Sequence, residues 1–145
     1  MILFNKKLTW LEYVYVAWLS AIVATLGSLV YSDVIHVPIC PLCWYQRIVM
    51  YPLVIIYAVG ILTTDKKCTH YAMPLITIGF LIALYQVLLQ AQIVPNLLLG
   101  CKIYGGVSCG DVTFKLFGLI TIPQQALAGF FVIGLLNWLG LKDKY

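Results

Sequence analysis

Charged side chains are scarce in this sequence. They make up 10% of its 145 residues, whereas hydrophobic residues make up 63%. A soluble globular domain carries about 25% charged residues, so this composition excludes an ordinary water-soluble protein and is typical of an integral membrane protein. The net charge of +4 comes from separated pairs of basic residues. The sequence therefore lacks the continuous basic patch that nucleic-acid binding requires.

No cleavage site follows the first apolar segment. Asn5, Lys6 and Lys7 precede it, as basic residues do in a signal peptide, but the run from Val14 to Tyr31 is longer than a signal-peptide core. Because no A-x-A pattern comes after this run, we expect an uncleaved first transmembrane helix.

Four apolar runs are long enough to cross a membrane. They cover residues 12–31, 48–64, 72–94 and 116–139 approximately. A helix rises 1.5 Å per residue, so about 20 residues cross the roughly 30 Å of hydrocarbon in a bilayer. Helices also satisfy their own backbone hydrogen bonds, as lipid requires. The sequence predicts a single all-α membrane domain, residues 1–145, built as a bundle of four transmembrane helices.

Basic residues are distributed unevenly around these runs. The segments before the first run, between the second and third, and after the fourth carry six lysines: Lys6, Lys7, Lys66, Lys67, Lys142 and Lys144. The other two connecting segments carry only Arg47, Lys102 and Lys115. By the positive-inside rule, this asymmetry predicts that both termini are cytoplasmic and that residues 32–47 and 95–115, approximately, form external loops.

This topology divides the five cysteines between the two sides of the membrane. Cys40, Cys43, Cys101 and Cys109 fall in the external loops, and Cys68 falls in the cytoplasmic loop. Disulfides persist outside the cell and thiols stay reduced inside it, so the four external cysteines predict two disulfides or a redox relay. Three pairings are possible, and local pairing, Cys40–Cys43 and Cys101–Cys109, is the simplest.

A Cys-x-x-Cys motif precedes the second apolar run, in the stretch Cys40-Pro41-Leu42-Cys43-Trp44-Tyr45-Gln46-Arg47. Proline's fixed φ suits the first helical position, so the sequence predicts a helix that starts at Pro41 with Cys40 as its N-cap. The i,i+3 spacing lets the two sulfurs bond, and a helix N-terminus stabilises a thiolate. Arg47 lies one turn after Cys43 on the same face, where it can stabilise that thiolate or a nearby oxyanion.

Glutamines are the main polar residues in or beside the last two runs. Such side chains either hydrogen-bond between helices or line a pocket, and both interpretations apply to Gln86, Gln90, Gln124 and Gln125.

Together these features resemble the DsbB family of thiol:quinone oxidoreductases. The shared pattern is four helices with both termini inside, a Cys-x-x-Cys motif that opens the second helix, an arginine four residues later, and two external cysteines before the fourth helix. The string around the motif is most similar to the short Gram-positive members called BdbC. The resemblance covers nearly the whole chain, including Ile122-Pro123-Gln124 in the last predicted helix.

The resemblance implies a role for each of five residues. Cys40 and Cys43 match the pair beside the quinone, with Cys43 engaging the quinone, and Arg47 matches the arginine that supports the quinone and the thiolate. Cys101 and Cys109 match a shuttle pair that meets a partner with a thioredoxin fold. The larger members have a longer loop with an interfacial helix between the shuttle cysteines than this sequence has.

The resemblance also implies an activity. It predicts an enzyme of the cell membrane that reoxidises an extracytoplasmic thioredoxin-fold thiol oxidase. The electrons pass to a membrane quinone, menaquinone or ubiquinone, and this transfer supports disulfide bond formation.

Other classes of protein share parts of this cysteine pattern. Four cysteines could hold zinc tetrahedrally, but no histidine pair lies near them and we expect no metal. Two inert disulfides could instead tie the external loops of a scaffold or channel, and Arg47 would then only snorkel to the interface. An enzyme similar to vitamin K epoxide reductase shares the quinone chemistry, but in that family the Cys-x-x-Cys motif lies in a late helix.

Overall fold

Four long α-helices dominate the computed structural model, which describes residues 9–36, 40–95, 115–116 and 120–143. We label the helices α1 (Trp10–Leu29), α2 (Pro41–Leu62), α3 (Cys68–Gln90) and α4 (Ile122–Asp143). A π-helical segment, Val30–Val34, continues α1. Each of the four helices is long and apolar enough to cross a membrane. The predicted four-helix, all-α membrane fold is therefore confirmed.

The helices form a closed ring. Consecutive helices α1–α2 and α2–α3 pack together, α3 packs against α4, and α4 returns to α1. Contact between α3 and α4 is close at Gly79, because the buried ring of Phe130 occupies the space that a side chain there would fill. Between α1 and α2, the indole nitrogen of Trp18 donates to the carbonyl oxygen of Val54 at 3.1 Å.

A buried polar network ties the bundle together away from the cysteine motif. The hydroxyl of Tyr57 on α2 donates to Asn137 Oδ1 on α4 at 3.0 Å. The Asn137 amide nitrogen donates to the carbonyl oxygen of Thr69 on α3, also at 3.0 Å. Asn137 therefore joins three helices, and its polar atoms are satisfied inside an apolar core, as buried amides must be.

The second helix begins well before its apolar run. It starts at Pro41, as the cysteine motif predicts, and not near residue 48, where the apolar run begins. The external position of residues 32–47 stays a prediction. Hydropathy alone placed the start too late, because Tyr45, Gln46 and Arg47 interrupt the apolar pattern. The third helix is similarly displaced from the predicted 72–94, since it covers Cys68–Gln90.

The fourth helix begins later than predicted, at Ile122 instead of near residue 116. Strands β1 (Lys115–Leu116) and β2 (Ile120–Thr121) pair antiparallel just before it. Pro123 explains the start: in the first turn its missing N–H is not needed, but a helix continuing back towards residue 116 would need that N–H and would clash with the proline ring. The Gln124 side chain accepts a hydrogen bond from the backbone N–H of Thr121 at 3.0 Å.

Candidate redox site

The cysteine motif forms the first turn of α2. Cys40 is the N-cap, with extended backbone angles (φ −79°, ψ 158°), and Pro41 follows as the first helical residue. The Cys43 backbone N–H donates to the Cys40 carbonyl oxygen at 3.1 Å. The predicted helix start and cap are thus confirmed.

The two sulfurs of the motif lie side by side. They are free thiols, with 3.2 Å between Cys40 Sγ and Cys43 Sγ. This is the reduced form of the pair, and the Cys40–Cys43 disulfide stays a prediction. Cys40, which precedes the first turn, is buried. Its side-chain hydrogen bond with Cys43, together with burial, raises the pKa of the Cys40 thiol above its ordinary value.

A buried amide from another helix contacts both sulfurs. Gln86 on α3 places its Nε2 atom 3.1 Å from Cys40 Sγ and 3.4 Å from Cys43 Sγ. Its Oε1 atom accepts a hydrogen bond from Gln46 Nε2 on α2 at 2.9 Å. Of the two interpretations that the sequence left open for Gln86, hydrogen bonding between helices is confirmed, and the same amide also belongs to the thiol site.

Arg47 is buried and tied to α1. Its Nε donates to Ser28 Oγ at 2.7 Å, and a terminal nitrogen donates to the Ser28 carbonyl oxygen at 2.5 Å. The guanidinium carbon also lies 5.4 Å from the centroid of the Trp44 ring, within the range of a cation–π contact. Among the described residues, no hydrogen bond joins Arg47 to Cys43. The charge of Arg47 can therefore act on a Cys43 thiolate only at longer range, by electrostatic attraction.

A cavity of about 890 Å³ adjoins this site. It lies between α1, α2 and α4, and its wall is mainly apolar. The polar or reactive residues on its wall are Ser20, Thr25, Ser28, Tyr31, Ser32, Cys43, Gln46, Arg47, Tyr51 and Gln125. Cys43 contributes to the wall, whereas Cys40 and Gln86 do not. A molecule in the cavity therefore reaches Cys43 and Arg47 from one side, while Gln86 contacts the sulfurs from the other.

The remaining cysteines lie elsewhere. Cys101 and Cys109 are outside the described residues, so their pairing stays a prediction. Cys68 is buried at the start of α3, with its side chain against the backbone of Gly60 on α2. The structure thus brings together three of the five predicted site residues, namely Cys40, Cys43 and Arg47.

Sequence comparisons identify relatives along most of this chain. The profile of the family described as "Disulfide bond formation protein DsbB" matches residues 11–140. The chain belongs to the DsbB family. A probable disulfide formation protein of Coxiella burnetii is 43% identical over 111 residues, which are 75% of this chain and 74% of that protein. Probable disulfide formation protein C 2 of Bacillus cereus is 39% identical over 127 residues, covering 88% of this chain and 89% of the relative. Probable disulfide formation protein C 1 of Bacillus anthracis is 36% identical over 134 residues, with 92% and 95% covered.

The resemblance drawn from the cysteine motif is confirmed by these matches. No solved structure matches the chain. As a DsbB family member with four helices long enough to span a bilayer, it is a multi-pass membrane protein and a disulfide-forming oxidoreductase.

Three residues that belong to this hydrogen-bonded cluster were not among the predicted site residues: Ser28, Gln46 and Gln86. A glutamine inside an apolar run was the signal for Gln86, but the sequence did not connect it to the cysteines. Gln46 fell in a segment that hydropathy assigned to a loop. Ser28 carried no signal, because a serine in a transmembrane helix is common and usually bonds its own backbone.

Proposed function

We propose that the chain is a membrane protein-dithiol:quinone oxidoreductase. In this proposal it reoxidises an extracytoplasmic thiol oxidase with a thioredoxin fold and passes the electrons to a membrane quinone. The observation that carries the proposal is that Cys43 and Arg47 line the same apolar cavity between α1, α2 and α4. A redox-active sulfur and a permanent cation beside a space of this size suit a planar apolar molecule with carbonyl oxygens.

The cavity residues fit a quinone in size and chemistry. Its volume of about 890 Å³ lies in the range of small-molecule sites, and its wall is mainly apolar. A guanidinium has five N–H donors, and Ser28 takes two of those of Arg47, which leaves donors for a carbonyl oxygen. Arg47 would hold and orient the quinone, and Cys43 would be the sulfur beside it. A bound quinone supplies an acceptor for two electrons and two protons.

The electrons would reach this site by thiol–disulfide exchange. A thiolate of the reduced partner attacks the Cys101–Cys109 disulfide and forms a mixed disulfide. The partner's second thiol resolves it, so the partner leaves oxidised and Cys101 and Cys109 become thiols. Exchange between this outer pair and the Cys40–Cys43 disulfide then restores the outer disulfide and leaves Cys40 and Cys43 reduced. Oxidation of the two thiols would then re-form the Cys40–Cys43 disulfide, and the two electrons and two protons would leave through Cys43, which lines the cavity.

The proposal requires the cysteines to face the extracytoplasmic side. The excess of lysines in the terminal segments and in the α2–α3 connection supports this orientation, with both termini in the cytoplasm. The N-terminal end of α2, which carries the dithiol, then lies at the outer surface, where disulfides persist.

Quinone reduction by the purified protein tests the proposal directly. The protein in detergent is mixed with a reduced thioredoxin-fold oxidase and, in separate reactions, with ubiquinone or menaquinone, and the quinone absorbance is followed. We expect quinone reduction that matches the partner disulfide formed. Cys43→Ser should abolish it. A wild-type protein that reduces neither quinone would reject the assignment.

The outer pair has its own test in the same assay. Cys101→Ser or Cys109→Ser should stop turnover with the protein partner but preserve quinone reduction driven by a small dithiol, which can reach Cys40 and Cys43 directly. One of the two variants should also accumulate a mixed disulfide with the partner on a non-reducing gel. Normal turnover with the protein partner in both variants would mean that the partner reacts with Cys40 itself.

A further inference from the structure

The amide of Gln86 is placed to act on both sulfurs of the Cys40–Cys43 pair. Its nitrogen carries two hydrogens, and the two sulfurs lie 3.1 Å and 3.4 Å from it. The side chain is 2% exposed, so water does not compete for these contacts. A donor in such a dry position interacts more strongly with a charged sulfur than it would in water.

Gln46 determines which end of that amide faces the sulfurs. An amide has a donor end and an acceptor end, and either could face them. Gln46 Nε2 donates to Gln86 Oε1 at 2.9 Å, and this bond turns the Gln86 nitrogen towards Cys40 and Cys43. Gln46 is itself buried. A thiolate can only accept hydrogen bonds, so the observed orientation suits the charged form of the pair.

We propose that Gln86 is a catalytic residue that stabilises the thiolate released when the Cys40–Cys43 disulfide opens, and that Gln46 is a positioning residue that orients it. This inference rests on the proposed function for the identity of the attacking thiol, but its chemistry needs only a disulfide and a thiolate.

In the step concerned, an incoming thiolate attacks Cys40 Sγ. A bond forms between the incoming sulfur and Cys40, the Cys40–Cys43 bond breaks, and its electron pair goes to Cys43 Sγ. Exchange is faster when the leaving sulfur is better stabilised as a thiolate. Gln86 donates a hydrogen bond to that sulfur as the charge appears. An amide does not titrate, so the donor is present at every working pH.

The roles of Gln86 and Arg47 separate in space. Gln86 belongs to α3, and none of the described residues that line the cavity comes from that helix. A change at Gln86 should therefore alter the thiol chemistry of the pair, whereas a change at Arg47 should alter the affinity for a molecule in the cavity.

The test uses the full chain with the three other cysteines replaced by serine, so that Cys40 and Cys43 are the only thiols. Two measurements are made in detergent without quinone or partner protein. The first is the pH profile of iodoacetamide alkylation of the reduced pair, with the alkylated residue identified by mass spectrometry. The second is the rate at which dithiothreitol reduces the disulfide.

In Gln86→Leu we expect the pH midpoint of Cys43 alkylation to rise by about one to two units. The reason is that the Cys43 thiolate loses one charge-assisted hydrogen bond, and the free energy of such a bond corresponds to a shift of this size. Reduction by dithiothreitol should slow by about tenfold, because the leaving thiolate loses its donor. Gln46→Met should move the midpoint in the same direction. A thioether cannot donate to Gln86 Oε1, so the Gln86 amide is no longer held with its nitrogen towards the sulfurs, and no new charge is placed beside them.

Asn137→Leu is the matched control. Asn137 is also a buried amide that joins helices, through Tyr57 and Thr69. Its loss should lower the thermal stability but leave the alkylation profile unchanged, which separates a structural effect from an effect on the sulfurs.

An unchanged or lowered midpoint in folded Gln86→Leu and Gln46→Met proteins would overturn the inference. If Gln86→Leu does not fold, Gln46→Met, which keeps the length of the side chain and adds no charge, decides the question alone. Neither measurement involves quinone, so failure of the proposed function would appear in the quinone assay, and failure of this inference would appear in the alkylation profile.

Discussion

Replacement of Arg47 is the sharpest perturbation of the proposed quinone site. The guanidinium makes two hydrogen bonds to Ser28 on α1 and also lines the cavity. Different substitutions can remove these two kinds of contact separately. Arg47→Gln removes the charge and most of the donors. Arg47→Lys keeps the charge but replaces the planar guanidinium with a single ammonium nitrogen. That nitrogen cannot reproduce the two hydrogen bonds that two guanidinium nitrogens donate to Ser28.

The size of the effect follows from the kind of contact that is lost. A hydrogen bond from a charged donor contributes about 1.5–3 kcal/mol, which corresponds to about 10-fold to 150-fold in binding. Arg47 is 7% exposed, so little water is available to replace the missing donor. We therefore expect Arg47→Gln to raise the quinone KM by a factor in this range, and Arg47→Lys to raise it less.

The assay is quinone reduction at varied quinone concentration, with a small dithiol as the electron donor, so that partner docking does not affect the result. Ser28→Ala is the control. It removes one hydrogen bond of Arg47 while the charge and the contact with the Ser28 carbonyl oxygen remain, so it should change the quinone KM only slightly. Membrane insertion is checked for every variant by protease protection.

Two outcomes would refute this reasoning. An unchanged quinone KM in a normally inserted Arg47→Gln protein would mean that the arginine only ties α2 to α1. A Ser28→Ala protein as impaired as Arg47→Gln would mean that the tether, and not contact with the quinone, controls the KM.

Four further predictions concern other residues. Gly129 lines the cavity and has open space where a side chain would begin, so Gly129→Leu should fill the cavity without strain and raise the quinone KM by about tenfold at unchanged thermal stability; an unchanged KM in the folded variant would exclude the cavity as the quinone site. Cys68→Ser should preserve turnover in the quinone assay with the partner. Gly60→Ala should lower the free energy of unfolding by about 1–3 kcal/mol, because the added methyl group would overlap the Cys68 side chain. A reporter fused after Tyr145 should be active only in the cytoplasm and one inserted near Gly105 only outside, and the reverse pattern would place the cysteines in a reducing compartment.

Much of the fold could be predicted because the deciding information lies in consecutive residues. The length of an apolar run determines whether a helix can cross a bilayer, and four such runs were visible. The start of α2 was likewise local, since Pro41 fits the first helical position and places Cys40 at the cap. The i,i+3 spacing then brings the two sulfurs within 3.2 Å of each other.

Helix ends were less predictable where two local signals disagreed. Hydropathy placed the start of the last helix near residue 116, but Pro123 moves it to Ile122 and the preceding residues pair as strands. In α2 the opposite happens, because the helical turn extends through the polar residues Gln46 and Arg47 that hydropathy excludes. Backbone geometry outweighs average hydropathy in both cases.

The surroundings of the dithiol were decided by the tertiary structure alone. Helices that are apolar on nearly every side have no polar face to determine how each is rotated in the bundle, so the sequence pattern does not say which side chains meet. Packing of the four helices brings Gln86 to the sulfurs, Ser28 to Arg47, and Cys43 to a cavity that three helices share. Consecutive residues alone specify the dithiol and the helix that carries it. Only the packing decided which donors, and which cavity, that pair would face.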